Sequence, residues 1–319
     1  MKEFQLIRQI QQEMSVASSG DSDDGVRLGI GDDAAVLELP AGRHLVAATD
    51  TLNAGTHFPE DTSAADIGHK CLAVNLSDLA AMGAVPHWAL LSLSLPQADP
   101  EWVRSFITGF KSLAQAHGVA LVGGDTTSGP LSVCLTALGS IEPGGQLTRD
   151  GAKPGDLLVV SGTVGGAART LDLLQAGESG ANRQLLDRPQ PRVKLGQALV
   201  GFANACIDVS DGVLADLGHI LELSRCGAQV MVENLPQPTL LNGLEDHLKW
   251  RYQLSGGDDY ELLFTLPRQH EALLATWSDE LAVRLSVIGE IEEGEGVRCI
   301  GPGGVPYDPQ RTGFEHFGQ

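Results

Sequence analysis

The sequence is short of several things, and each scarcity removes a class of explanation. Its five cysteines (Cys71, Cys134, Cys206, Cys226 and Cys299) are scattered, odd in number and never spaced Cys-x-x-Cys. That argues against a disulfide framework and against a zinc site. No apolar run approaches the length of a membrane span. The opening Met1-Lys2-Glu3-Phe4 has no apolar signal core. The expectation is a reduced, cytoplasmic protein. Basic residues are scarce too: 21 Lys and Arg stand against 41 Asp and Glu, a formal charge of −20. Such a chain is repelled by phosphate backbones and anionic bilayers, so neither nucleic acid nor a membrane is expected as a partner. A phosphorylated small molecule fits only if carboxylates hold Mg²⁺, which inverts the local charge.

What remains is a globular chain of 319 residues with 42% hydrophobic residues, enough for two domains. The connector around 142–156, rich in Gly and Pro, divides it into domains 1–145 and 146–319. Apolar spacing predicts a helix over 1–14, then a Ser-, Gly- and Asp-rich loop over 15–26. Strands are expected at 34–39 and 45–49. A helix over 63–83 starts at the cap Ser63, and another begins at Asp99-Pro100 and ends at Gly118. Strands follow at 119–122 and 133–138. In the second domain strands are expected at 157–160, 205–209, near Val230, at 261–266 and at 283–288. A helix is predicted over 213–225, and 178–190 reads as a polar loop. Strands alternating with helices in both halves indicate an α/β or α+β class.

The chemistry is written in where aspartates sit. Four clusters join Asp to Gly or Ser at predicted strand ends: Gly31-Asp32-Asp33, Gly123-Gly124-Asp125, Asp208-Val209-Ser210-Asp211-Gly212 and Gly256-Gly257-Asp258-Asp259. Asp50, in Thr49-Asp50-Thr51, adds a fifth position. Glycine lets backbone N–H groups approach a phosphate, and the adjacent carboxylate can hold the metal which that phosphate also touches. Alone, each cluster most often just makes a turn; recurring together they point to one shared use. Asn75 and Asp78 lie three apart, on one face of the helix over 63–83, and an inward carboxylate needs a metal or a counter-charge. The start of helix 213–225 offers N–H groups to an anion. Ser161-Gly162-Thr163-Val164-Gly165-Gly166 lacks a P-loop ending and reads mainly as a tight turn, phosphate contact being the lesser option. Arg149 and Lys70 are candidates to meet phosphate, and His57 to touch substrate. The bland reading of each is a solvated cation or a structural histidine.

These clusters, in this order, resemble the thiamine-monophosphate kinase family over nearly the whole chain. The most specific stretches are Gly29-Ile30-Gly31-Asp32-Asp33-Ala34-Ala35, residues 70–84 around Asn75-Leu76-Ser77-Asp78, and Leu254-Ser255-Gly256-Gly257-Asp258-Asp259-Tyr260-Glu261-Leu262. The resemblance implies ATP-dependent phosphorylation of thiamine phosphate to thiamine diphosphate. It implies a two-domain fold like that of aminoimidazole ribonucleotide synthetase, with an N-terminal domain forming a β-barrel across a homodimer interface, a C-terminal α/β domain, and an active site in the cleft between them. Carried over by position, Asp33, Thr49, Asp50, Asp78, Asp125, Asp208 and Asp211 would hold several Mg²⁺ ions. Gly124, Asp125, Arg149 and Ser210 would contact ATP, and His57, Asp258 and Phe314 thiamine phosphate. The chain departs from the family in Asp258, where Glu is common, in Ala48, where relatives can have Ser, and in Phe314, where some have Tyr or Trp. Other readings of the same aspartates are a superfamily enzyme with another acceptor, a two-metal phosphohydrolase, and a non-catalytic ion- or nucleotide-binding protein.

Overall fold

The computed structural model describes residues 3–15, 25–178, 181–309 and 313. They fall into two compact units, Met1–Leu79 with Ala84–Gly144, and Ala80–Gly83 with Gly145–Gln319. Most of the loop expected over 15–26 lies outside the described residues.

In the first unit, α1 (Glu3–Ser15), β1 (Val26–Leu28), β2 (Val36–Leu37) and β3 (His44–Asn53) precede α2 (Ala64–Ala81). β4 (Val85–Leu95), α3 (Pro100–His117), β5 (Ala120–Ser128) and β6 (Ser132–Ile141) follow. The main sheet runs β3-β6-β4-β5, with only β4 and β5 parallel. β4 has no counterpart among the expected strands, although Leu91, Leu93 and Leu95 are buried and alternate with Ser92 and Ser94. Ser63 caps α2 with a reciprocal pair, its hydroxyl bonding the Asp66 carboxylate and accepting from the Asp66 N–H. Asp99 caps α3 through the N–H groups of Glu101 and Trp102, and Gly118 ends it in the left-handed conformation.

α2 is buried nearly all round, which is the signature of a central helix. Leu79 on it packs against Gly139 of the sheet. On its other side α3 approaches backbone to backbone: a Cβ on Gly68 would lie 2.1 Å from the Phe106 carbonyl oxygen, and one on Gly109 1.8 Å from that of Ala65. Leu72, Leu76, Phe106, Phe110, Leu93 and Val133 fill the core between these layers.

The second unit contains β7 (Leu157–Ser161), α4 (Gly166–Gln175), α5 (Arg183–Asp187), α6 (Val193–Leu199), β8 (Ala205–Asp208), α7 (Val213–Ser224) and β9 (Gly227–Met231). Then come α8 (Asp246–Ser255), β10 (Leu262–Leu266), α9 (Leu273–Leu281), β11 (Leu285–Glu292), β12 (Gly296–Ile300) and β13 (Pro306–Tyr307). The sheet order is β13-β12-β9-β11-β7-β10-β8. Every residue of β7, β8 and β10 is buried, as expected of strands covered on both faces. Leu214, Leu217 and Ile220 of α7 pack on Ile207, Leu263, Val230 and Ile288. The stretch 178–190, expected to be loop, contains the short helix α5, whose Arg183 and Asp187 pair across one turn. Both units therefore have the expected α/β class, and the described residues contain no closed barrel.

Candidate active site

In the first unit the aspartates sit within elements more than at their ends. β3 continues past Asp50 to Asn53, and β5 runs through Gly124-Asp125 to Ser128. Asp50 on β3 is hydrogen-bonded by Asp78 from α2 and lies near His57. Burial holds the Asp50 carboxyl above its ordinary value, opposed by the Asp78 bond and the His57 ring. His57 is fixed from two directions. Its Nδ1 accepts the Asn53 N–H at 3.0 Å, and its carbonyl accepts from Lys70 Nζ at 3.0 Å. Lys70, only 1% exposed, thus braces the His57 turn. Asn75 is wholly buried; its Nδ2 donates to the Cys71 carbonyl and its Oδ1 has no partner, so that oxygen does not steady Asp78 as the helical spacing suggests.

The other candidates of this unit are not gathered onto that pair. Thr49 donates from Oγ1 to the Leu135 carbonyl and meets Thr136 Oγ1, on the face of β3 opposite to Asp50. Strand register sets Asp125 in the row of Thr51, Cys134 and Ser92, one residue out of step with the row of Asp50, Leu135, Leu91 and Gly124. Three strand spacings, about 14 Å, separate β3 from β5. Gly124 has φ 148°, and a Cβ there would lie 1.8 Å from the Leu91 carbonyl oxygen, so only glycine fits beside β4. Asp33 is exposed, its N–H donating to Asp32 Oδ1.

In the second unit Asp208 is the last residue of β8 and 5% exposed, and the segment after it is held on both sides. The Val209 and Ser210 carbonyls accept from the N–H groups of Tyr260 and Asp258. The Ser210, Asp211 and Gly212 N–H groups all donate to one oxygen, Asp216 Oδ2, at 3.0, 3.1 and 3.1 Å. The chain's own carboxylate therefore takes the N–H groups of the loop that leads into α7, up to its N-cap Gly212. Burial, with the Asp208 charge second, pushes the Asp216 carboxyl up to about 7. The Gly-rich turn before α4 is filled likewise. Asp259 Oδ2 accepts from the Gly165 N–H at 2.6 Å, and burial pushes that carboxyl up to about 8.

Asp258 and Tyr260 are both left-handed, at φ 69° and 51°, and the Tyr260 hydroxyl donates to Asp258 Oδ1. Non-glycine residues in that region mark a strained loop held by its surroundings. Glu261 supplies part of the hold, with Arg192 forked onto its carboxylate at 2.6 and 2.5 Å and the Ser161 hydroxyl on the same group. Arg149 is exposed, and its carbonyl accepts from Ser224 at the C-terminal end of α7. Ser210 and Asp211 lie at the other end of that helix, roughly 18 Å away by its rise, so the second unit does not gather Arg149 with them. Gly313 packs against Ala215 and the Asp211 carbonyl, which places that residue at this loop; Phe314 itself lies outside the described residues. Sequence reasoning assigned no role to Asp216 or Arg192, and read Asp259 only as part of its Gly-Asp cluster. For the two acids the available signal was an acid in or facing the first turn of a helix.

The donor set fits Mg²⁺. Two carboxyl groups in hydrogen-bonding contact leave a place that a hard cation fills as well as a proton does, and all the donors are oxygen. Among the described residues no three His, Cys, Asp or Glu side chains form a ready-made cage. Mg²⁺ takes one or two carboxylates and completes its shell with water and substrate phosphate. Asp259 and Asp216 take backbone N–H groups at the entries to α4 and α7.

Residues 31–141 match the model for the N-terminal domain of AIR synthase related proteins, and residues 153–301 that for the C-terminal domain. The thiamine-monophosphate kinase of Escherichia coli K12 is 43% identical over 300 residues, covering 92% of each chain. The chain belongs to the thiamine-monophosphate kinase family. The crystal structure of the thiamine-monophosphate kinase from Stenotrophomonas maltophilia superposes with a TM-score of 0.85 at 46% identity, covering 94% of this chain and 96% of that one. A further kinase of the family, AaThiL complexed with AMPPCP and TMP, gives 0.76 at 29% identity, covering 99% of each. Membership explains why the aspartate clusters fall in this order, and it extends over both units.

Proposed function

We propose that this chain transfers the γ-phosphoryl group of ATP to thiamine phosphate, giving thiamine diphosphate, the final step of thiamine diphosphate biosynthesis. One observation carries the reading: over nearly its whole length the chain shares sequence and fold with kinases of this name, one of them solved with AMPPCP and TMP. The hydrogen-bonded Asp50 and Asp78 beside His57 give it local chemical sense.

In this reading Asp33, Thr49, Asp50, Asp78 and Asp125 of the first unit, and Asp208 and Asp211 of the second, hold Mg²⁺, Thr49 through its backbone. Gly124, Asp125, Arg149 and Ser210 contact ATP; His57, Asp258 and Phe314 contact thiamine phosphate. Bound Mg²⁺ supplies charge neutralisation for two polyanions that would otherwise repel each other. The attacking oxygen belongs to a phosphate already ionised at neutral pH, so the residues need not remove a proton. Their work is to position donor and acceptor in line and exclude wrong geometries. The rigid backbone at Gly124 and the two-sided hold on Ser210 suit that task. No side chain need be phosphorylated.

We further assign a homodimer in which the outer face of the β3-β6-β4-β5 sheet joins its counterpart in a barrel. Leu45, at 54% exposure, lies on that face, and Thr49, Thr136 and Leu138 continue it. A cytoplasmic location accords with the reduced cysteines, and no described helix is long and apolar enough to cross a membrane.

The test is incubation of the purified protein with Mg²⁺, ATP and thiamine phosphate. Thiamine diphosphate and ADP should form in equal amounts, with little free phosphate when the acceptor is omitted. Phosphate release without an acceptor, and no diphosphate with one, would overturn the reading.

A further inference from the structure

We propose that Asp216 is a positioning residue that sets the geometry of the Ser210–Asp211 segment for metal and nucleotide. The inference rests on the function proposed above. Asp216 is 2% exposed, in the first turn of α7, and is not itself among the residues assigned to metal or substrate. A single oxygen of its carboxylate takes the N–H groups of three successive residues, Ser210, Asp211 and Gly212. Three peptide planes whose N–H bonds converge on one atom have little freedom left, as in an anion-binding nest. The opposite edge of the segment is fixed as well, by Asp258 N–H on the Ser210 carbonyl and Tyr260 N–H on the Val209 carbonyl. Across 209–212 every N–H group and the carbonyls of Val209, Ser210 and Gly212 thus have a protein partner. The loop that carries Ser210 and Asp211 owes its carbonyl side to the 258–260 loop and its amide side to Asp216 alone. Gly212, at φ 115° against Ser255, allows the chain to turn into α7 at this point.

The role is hydrogen-bond acceptance, and substitutions separate it from charge. Asp216→Asn keeps an oxygen in place; Asp216→Ala removes it. In Asp216→Ala the apparent KM for Mg·ATP should rise at least tenfold, and Mn²⁺ binding without nucleotide, followed by electron paramagnetic resonance, should weaken by a similar factor. Asp216→Asn should stay within about threefold of the parent in both. Deuterium uptake over residues 209–212 of the unsubstituted protein gives a readout that needs no variant to fold, and slow exchange at these amides is expected. Rapid exchange there overturns the proposal. So does an Ala variant that binds Mn²⁺ and Mg·ATP like the parent, or an Asn variant as impaired as the Ala one. If the unsubstituted protein binds no Mn²⁺ and makes no thiamine diphosphate, it is the underlying function that fails, and slow exchange at 209–212 would still show the clamp.

Discussion

The carboxyl groups of Asp50 on β3 and Asp78 on α2 are hydrogen-bonded to each other. Two carboxyl groups can bond only if one keeps a proton; the bond lowers the Asp50 value against the rise that burial causes, so Asp78 is the donor. A divalent cation held there would take the place of that proton, with both carboxylates as its ligands. Asp78→Asn keeps a donor for Asp50 but cannot supply the second negative oxygen. Turnover should fall by at least ~100-fold, as when a main source of charge stabilisation is lost, while thermal unfolding and circular dichroism stay near those of the parent. Chelation with EDTA should abolish turnover in the parent, and excess Mg²⁺ should restore it. An Asp78→Asn enzyme of full activity would remove Asp78 from the metal set.

Gly124 tests the sheet. Its φ of 148° and the 1.8 Å approach that a Cβ would make to the Leu91 carbonyl cannot both be relieved without separating β5 from β4. Gly124→Ala should destabilise the protein by about 2–4 kcal/mol, the range of strained-backbone and overpacking changes. Urea unfolding measures it. A loss below 0.5 kcal/mol would show that the strand edge yields freely.

Much of this was legible in the sequence, for reasons that particular residues make plain. Ser63, Asp99 and Gly118 announced the ends of α2 and α3 because capping is a local interaction between neighbours in the chain. Asp50, Asp78, Asp208 and Asp211 stood out by type and context. Their partners did not. Nothing local says that Asp78 will reach Asp50, 28 positions earlier in the numbering, or that Arg192 will fork onto Glu261. β4 was missed although its second half alternates, with Leu91, Leu93 and Leu95 buried against Ser92 and Ser94; its first half, with Pro86 and His87, breaks the pattern. At α7 the sequence shows where the helix starts but not that Asp216, within it, turns back onto the N–H groups of Ser210, Asp211 and Gly212.

The Arg192–Glu261 pair lies behind the strained 258–260 loop, with Glu261 6% exposed. Removing one member of a buried pair leaves the other charge uncompensated, at a cost of about 3–5 kcal/mol. Arg192→Ala should therefore lose about 3 kcal/mol in denaturant unfolding. Because the Glu261 carbonyl also accepts from the Val209 N–H, the damage should reach the substrate loop, seen as a rise in KM for thiamine phosphate. The double change Arg192→Met with Glu261→Leu should recover most of the stability without recovering the KM. A double variant as unstable as the single one would mean that the pair's hydrogen bonds, more than its unbalanced charge, hold this region.

Asp259 sets a pH dependence whose sign can be worked out. Burial raises its folded value from 3.8 to about 8, with the Gly165 N–H opposing and the charges of Glu261 and Asp258 adding. Between those limits the folded protein holds a proton that the unfolded chain has released. Stability linked to this group is thus full at low pH, falls as pH rises through the window, and is completely lost above about 8. Asp259→Asn cannot titrate, yet it keeps an oxygen for the Gly165 N–H. The midpoint of thermal unfolding should fall more steeply between pH 6 and pH 8.5 in the parent than in the variant, so the two curves diverge on the alkaline side. Asp216 titrates over part of the same range, but it is present in both proteins and cancels in the comparison. Parallel curves would mean that Asp259 is ionised throughout, its charge met by the N-terminus of α4, and that the helix end outweighs the burial penalty.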